Sequence, residues 1–529
     1  MNRSPVTELA EPLEQAVAEL GGDGVPVRLE RPADAAHGDY ATAVALGLAK
    51  PLRSAPREIA ARIGDRLRSP WIEEVEIAGP GFINLRVAPA FHRHVVERVL
   101  AEGPGYGAGA VARPLRLQVE YVSGNPTGPV TAATARNAAY GDSLARLFAF
   151  AGHRVEREYY FNDAGRQMEL FGLSLRAAAR GEDVPEDGYQ GAYIKEIADS
   201  LDLDRDAPAD AWREAGVATV IADIQRTLSR FRASFDVWFR EGSLYEDGSV
   251  ERAIERVRKG GHVFELDGAT WLRTTDFGDD RDRVLVRSNG QPTYFAGDLA
   301  YVASKLERGF DQAVYVLASD HHGYVGRLKG AAAALGYDPD RIDIQIYQFV
   351  FIVEDGQVLP VSKRRGQVLM LDELLDAIGV DAARYALVAH SHDQVIELDP
   401  DLWAARNNEN PVFYCQYAHA RIAAILRNAG DIELAVDPAW IPEPPEAELA
   451  KALAGFPDLV AEAAERRGPH RVAGYTQETA KAFHQFYKQC RVLGSEPPVE
   501  RSRLALCSAT RQVLETALDL IGVDAPDSM

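Results

Sequence analysis

Cysteine is scarce in this chain: three in 529 residues, Cys415, Cys490 and Cys507, all in the C-terminal part and none in a Cys-x-x-Cys spacing. That excludes a disulfide framework or a structural zinc site and leaves the three thiols as small buried hydrophobes. Long apolar runs are missing too. No stretch reaches the roughly 18 residues of a membrane-crossing helix, and the opening MNRSPVTELAEPLEQ lacks a basic segment followed by an apolar one. The expectation is a cytoplasmic protein without membrane contact. Positive charge is in deficit, with 58 Lys+Arg against 79 Asp+Glu and a net charge of −21. Non-specific grip on nucleic acid needs a surplus of basic groups along the phosphates, so that class is excluded, whereas a shaped local basic surface is not. What remains is ordinary for a globular protein, 46% apolar and 26% charged. At roughly 100–200 residues per domain the length implies about three or four domains.

The pattern along the chain divides it into three. Residues 1–110 read as an α+β module, with a helix over 56–63 and a strand–turn–strand in WIEEVEIAGPGFINLRV. Its last stretch, EGPGYGAGA (102–110), reads as a linker, because no strand leads into its glycines and no helix follows them. Residues 111–385 read as α/β. LRLQVEYVS is a strand, GNPTGPV a loop, ATARNAAYGDSLARLFAFAG a helix and HRVEREYYF a strand, the unit that builds parallel sheets. An insertion is expected at about 162–280. The alternation then resumes with RVLVRS and PTYFAGD, the helix LAYVASKLERG, the strand AVYVLAS, the helix YVGRLKGAAAALG and the strand IQIYQFVFIV. Residues 386–529 have helical period throughout, with helices over 411–428, 446–467, 471–493 and 501–520.

Three loops would meet at one end of the sheet: 124–136, 292–298 with 318–323, and 360–366. Doubly wound sheets bind ligands at such strand ends. Glu120, Asn125, Tyr294, Asp298 and Asp320 bring carboxylates, an amide and a phenol to that rim, a set that suits a guanidinium or ammonium. The plainer reading of each Asp or Asn is a helix cap. Lys363, Arg364 and Arg365 could meet phosphates or simply face water. His321 and His322 are adjacent, not four apart as in a helical metal site, so no metal is expected.

VEYVSGNPTGP, EDGYQGAY, FDVWF, TDFGDDRDRVLVR, PTYFAGDLAY, ASDHHGYVGRLKGAAAALGYDP, VSKRRG, NPVFYCQYAHARI and the closing RLALCSATRQVLETALDLIGV resemble arginyl-tRNA synthetases of the bacterial type, in order and over essentially the whole chain. The resemblance implies an N-terminal domain that touches the tRNA elbow, a class I Rossmann catalytic domain with an insertion, and a helical anticodon-binding domain. It also implies a monomer that uses ATP with Mg²⁺, arginine and tRNA. Carried over, the arginine pocket falls on Glu120, Asn125, Tyr294, Asp298 and His321. The anticodon segment QYAHAR falls on Gln416, Tyr417, His419 and Arg421. The ATP positions are Ala133, Ser362, Lys363 and Arg364, with Thr131, Thr134 and Lys363 at the catalytic signature positions.

The chain departs from the family at the ATP signatures. The family's His-x-Gly-His reads Thr131-Ala132-Ala133-Thr134, and its Lys-Met-Ser-Lys-Arg reads Pro360-Val361-Ser362-Lys363-Arg364. Threonine hydroxyls are shorter, uncharged donors, and one lost transition-state donor typically costs about 10²–10³ in rate. The expectation is an arginine–tRNA ligase homologue with adenylate formation impaired or lost. The alternative is a paralogue that binds arginine, tRNA or both without aminoacylation, regulatory or recruited to another arginine-dependent reaction.

Overall fold

In the computed structural model, residues 3–163, 165–354, 357–358 and 369–529 are described. Ser4 starts the first helix, Pro5–Glu19, by accepting a hydrogen bond from the Thr7 N–H at 2.8 Å. Strands β1 (Tyr40–Thr42), β2 (Ile72–Ala78) and β3 (Phe82–Val87) form an antiparallel sheet in the order β1-β3-β2. The helices Val44–Leu52, Pro56–Gly64 and Pro89–Glu102 complete this α+β module. The stretch 102–110 is an interface and not a loose linker. Tyr106 is 2% exposed, and its hydroxyl donates to the Leu453 carbonyl of the C-terminal bundle at 3.0 Å.

The central module holds β4 (Arg116–Glu120), β5 (Arg154–Phe161) and β6 (Val237–Arg240). Next come β7 (Val263–Leu266), β8 (Ala269–Leu272) and β9 (Arg283–Val286), then β10 (Gln312–Ala318) and β11 (Ile342–Tyr347). Five of them make one parallel sheet in the order β11-β10-β4-β5-β6. The chain runs outward from β4 on one side and returns through β10 on the other. The crevice between β4 and β10 is therefore the topological switch point, where open α/β sheets bind ligands.

Three expectations are corrected here. β6 lies inside the stretch 162–280 yet belongs to the main sheet, so the inserted matter comes in two pieces: the helices Arg166–Arg180, Ala192–Ser200 and Ala209–Arg230, and the antiparallel sheet β7-β8-β9. RVLVRS is β9 of that small sheet, and PTYFAGD opens the helix Tyr294–Glu307. IQIYQFVFIV is broken after Tyr347. Its second half, β12 (Val350–Glu354), pairs with β13 (Gln357–Val358) and β14 (Ile396–Leu398). In each case a short apolar run fits either sheet equally well, and tertiary pairing decides.

The bundle comprises Pro411–Ala429, Pro444–Ala454, Phe456–Glu465, His470–Gln489 and Pro497–Leu520. The single helix expected over 446–467 is two, parted at Gly455. The expected boundary at residue 386 falls within the helix Val380–Val388, whose Arg384 is fully buried and bonds the buried Asp142 at 2.7 Å. Asp142 sits on the helix Ala132–Ala151, so the sheet module and the bundle share a core. All three cysteines are free and buried. Among the described residues no helix is long and apolar enough to cross a membrane.

Candidate active site

The chain leaves β4 with two non-glycine residues at positive φ, Val122 at 67° and Ser123 at 28°. A β-branched residue there is strained and persists only where its surroundings over-determine it. Asn137 supplies much of that constraint. Its Oδ1 accepts from the Val122 N–H at 2.8 Å, and its Nδ2 donates to the Val316 carbonyl of β10 at 3.1 Å, so one amide sets both walls of the crevice. Behind it, Gly141 lets the helix Ala132–Ala151 press on Tyr121, because a Cβ there would lie 2.3 Å from the Tyr121 side chain. The crevice is a cleft of about 320 Å³, lined among others by Asn125, Thr134, Asn137, His321 and Tyr347. Asn137 was missed by the sequence reading, which weighed the charged and loop residues and passed over a helical amide.

At one end of the cleft is the turn into the helix Ala132–Ala151. Thr131 and Thr134 hydroxyls lie 3.1 Å apart, and the Thr134 N–H donates to the Thr131 carbonyl at 3.0 Å. The Ala132 N–H donates to the Leu369 carbonyl and the Leu371 N–H to the Val130 carbonyl, both at 2.9 Å. Thus the first signature position is stitched to the chain that immediately follows the second one. Ala133 is exposed. A helix N-terminus with two hydroxyls suits the phosphates of a nucleotide. Ser362, Lys363 and Arg364 lie outside the described residues. Among the described residues no group of three or more His, Cys, Asp or Glu is placed to hold a metal ion.

Outside the lining of this cleft, acids gather in a second cluster. Glu120 ends β4, is 6% exposed, and accepts a hydrogen bond from the buried Lys305 ammonium. Asp298 sits mid-helix in Tyr294–Glu307, partly buried by area yet closely surrounded by protein. Burial raises its pKa to about 7; the Arg327 guanidinium opposes this, and the carboxylates of Glu241 and Glu120 add to it. Glu241, just beyond β6 and 6% exposed, was not foreseen. Burial raises its pKa too, and a hydrogen bond with Tyr160 holds it partly down. Gly297 makes room for it, since a Cβ there would lie 3.2 Å from Glu241 Oε1. Sequence did carry a signal, an acid two residues after FDVWF, and chemistry alone did not distinguish it from the many other acids.

The remaining expected residues sit as follows. Tyr294 is 61% exposed at the mouth. Asn125 is exposed and donates to Gln167. His321 lines the cleft, with Nδ1 3.1 Å from Asp320. In the bundle, Gln416 is buried, and its amide donates at 2.9 Å to both Asp381 and the Asp524 carbonyl, so its donors are used internally. His419 is likewise buried against Pro526. Tyr417 and Arg421 reach the surface. The Arg421 guanidinium lies 5.1 and 5.2 Å from the Tyr417 and Tyr487 rings, and Phe413 stacks on Tyr417 at 6.1 Å.

A parallel sheet with its site at the switch point, an acid-lined pocket beside a helix N-terminus, and a helical bundle packed on the same core have the layout of a class I aminoacyl-tRNA synthetase. The family model described as tRNA synthetases class I (R), catalytic domain, matches residues 193–408. The arginyl tRNA synthetase N-terminal domain matches 7–87 and the DALR anticodon binding domain 415–529. These ranges leave out 88–192, which hold β4, Asn125 and the Thr131–Thr134 turn. The arginine–tRNA ligase of Frankia alni is 47% identical, covering 99% of each chain. The chain belongs to the arginyl-tRNA synthetase family. Its fold matches the Thermus thermophilus arginyl-tRNA synthetase with a TM-score of 0.80 at 24% identity, over 99% of this chain and 100% of that one. For the Plasmodium falciparum arginyl-tRNA synthetase the TM-score is 0.76 at 14% identity, over 99% of both chains.

Proposed function

We propose that the chain is an arginine–tRNA ligase with weakened adenylate formation. Arginine's carboxylate oxygen attacks the α-phosphorus of ATP, pyrophosphate leaves, and the arginyl group passes to the terminal adenosine hydroxyl of its tRNA as AMP departs. The observation that carries this reading is the grouping of Asp298 with the carboxylates of Glu241 and Glu120, in the same sheet module whose switch-point cleft is lined by Thr134 at a phosphate-suited helix N-terminus. Two of these acids, Glu241 and Asp298, have no ion-pair partner among the described residues. A planar, always-charged guanidinium is the ligand such a set fits.

The modules take corresponding roles: residues 1–110 at the tRNA elbow, 111–385 in catalysis, and 386–529 at the anticodon loop. There Tyr417 and Arg421 offer stacking surfaces suited to unpaired bases. Asn125, Tyr294 and His321 orient arginine at the rim. Thr131, Thr134 and Lys363 serve the phosphates, Ser362 and Arg364 flank them, and Mg²⁺ supplies charge neutralisation on the ATP.

The test is ATP–pyrophosphate exchange with arginine and tRNA present. An arginine-dependent rate at least about a hundredfold below that of a relative with the histidine signature is expected, since the lost donors act on the transition state. Normal exchange would remove the impairment but keep the ligase. Arginine binding without any exchange would leave the non-catalytic paralogue.

A further inference from the structure

Tyr294, Asp298, Tyr301 and Lys305 follow one another at helical spacing along one face of Tyr294–Glu307, running from the mouth of the site into the interior. Exposure falls from 61% at Tyr294 to none at the Lys305 side chain. The Lys305 ammonium is the innermost group of this stripe. It donates to Glu120 Oε2 and lies 4.4 and 3.7 Å from the Tyr301 and Tyr315 ring centroids. Two aromatic faces and a carboxylate are what a buried cation needs to remain charged. Alongside, Arg308 bonds Glu158 at 2.6 Å and the Tyr301 hydroxyl donates to the same carboxylate at 2.5 Å, so Glu158 is already matched by its own cation. Lys305 is thereby committed to Glu120.

Resting on the ligase reading above, we infer that Lys305 is the positioning residue of guanidinium recognition: it fixes Glu120 through Oε2 as an oriented carboxylate and leaves Oε1 for the substrate. A carboxylate held at one oxygen presents the other in a fixed direction. Together with Asp298 it meets a two-pronged guanidinium and is poorly matched to a compact ammonium or a neutral urea. Lys305 touches no substrate in this scheme. Its effect is on affinity and selectivity, not on the phosphate chemistry.

The experiment measures arginine, lysine and citrulline binding to the full-length protein by calorimetry, with exchange kinetics, for wild type, Lys305→Met, Lys305→Gln and Lys305→Arg. Lys305→Met should weaken arginine binding roughly 10- to 150-fold, the range for loss of a charged hydrogen bond. It should narrow the preference over lysine while leaving the KM for ATP unchanged, and Lys305→Arg should recover part of the loss. If Lys305→Met does not fold, Lys305→Gln keeps a donor, removes the charge and carries the same test. Wild-type arginine affinity and selectivity in a folded neutral variant would overturn the inference alone. A wild-type protein that neither binds arginine nor supports arginine-dependent exchange would overturn the ligase reading, and the inference with it.

Discussion

The acid cluster and the phosphate-side turn are built in opposite ways. In the acid cluster three of the groups are tied to named partners: Glu120 to Lys305, Glu158 to Arg308 and Tyr301, Glu241 to Tyr160, with Gly297 shaped to admit it. At the phosphate end the turn is fixed by backbone bonds; among the described residues its two threonine hydroxyls bond each other, and Ala133 is exposed. The contrast teaches where chemistry is coupled to folding and where it is not. Buried charges that lose a partner destabilise the fold, so the acid end resists change. Side chains on a backbone-fixed turn change with little consequence for stability.

The largest expected effect would break this contrast from the phosphate side. Thr131→His, Ala133→Gly and Thr134→His together should raise arginine-dependent pyrophosphate exchange by roughly 10²–10³-fold, about 3–4 kcal/mol of transition-state stabilisation. The melting temperature should stay near that of the parent. Each change must be made with the others, because residues that act as a unit are not additive. A large loss of stability in the triple variant would show that the turn is not as permissive as its backbone bonding implies.

Next in size, Asp298→Asn should raise the KM for arginine roughly 10- to 150-fold, about 1.5–3 kcal/mol, without moving the KM for ATP. Steady-state exchange with each substrate varied in turn checks this. Asn137→Ala, which orphans the Val122 N–H and the Val316 carbonyl, should cost about 1–3 kcal/mol of stability in a denaturant titration. It should weaken both substrates together, because Asn137 sets both walls.

Smallest for each step taken, a pH unit, is a pH dependence. Asp298, raised to about 7 in the free protein, must be ionised to hold a guanidinium. Below that pH arginine binding has to displace a proton, so affinity should fall by up to about tenfold per pH unit between 7 and 5. The same raised pKa works against the free fold. Stability contributed by protonated Asp298 is present below the ordinary carboxylate range and lost as pH rises toward 7, where arginine should restore it.

The acid end and the module order were largely legible in the sequence. Glu120 and Asp298 follow or begin strongly patterned segments, and the bundle helices have long, clear periods. What escaped depended on pairing across the chain. β9 and β12 are short apolar runs that fit either of two sheets, and β6 is four residues embedded in helical surroundings. Asn137 and Lys305 look like ordinary helix residues until their partners on β4 and β10 are known. Gln416 read as a surface reader of RNA, yet its amide is spent on Asp381 and the C-terminal segment.

The stitching of Val130 and Ala132 to Leu369 and Leu371 bears on how the family can vary. Because main-chain bonds hold the turn on both sides, with only the Thr131–Thr134 hydroxyl contact added among the described residues, positions 131, 133 and 134 form a cassette that should accept new side chains without renegotiating the fold. Selection there acts on chemistry almost by itself, which makes the turn a natural place for catalytic power to be lost, retuned or regained. A combinatorial library at those three positions should therefore yield mostly folded proteins spread widely in exchange rate.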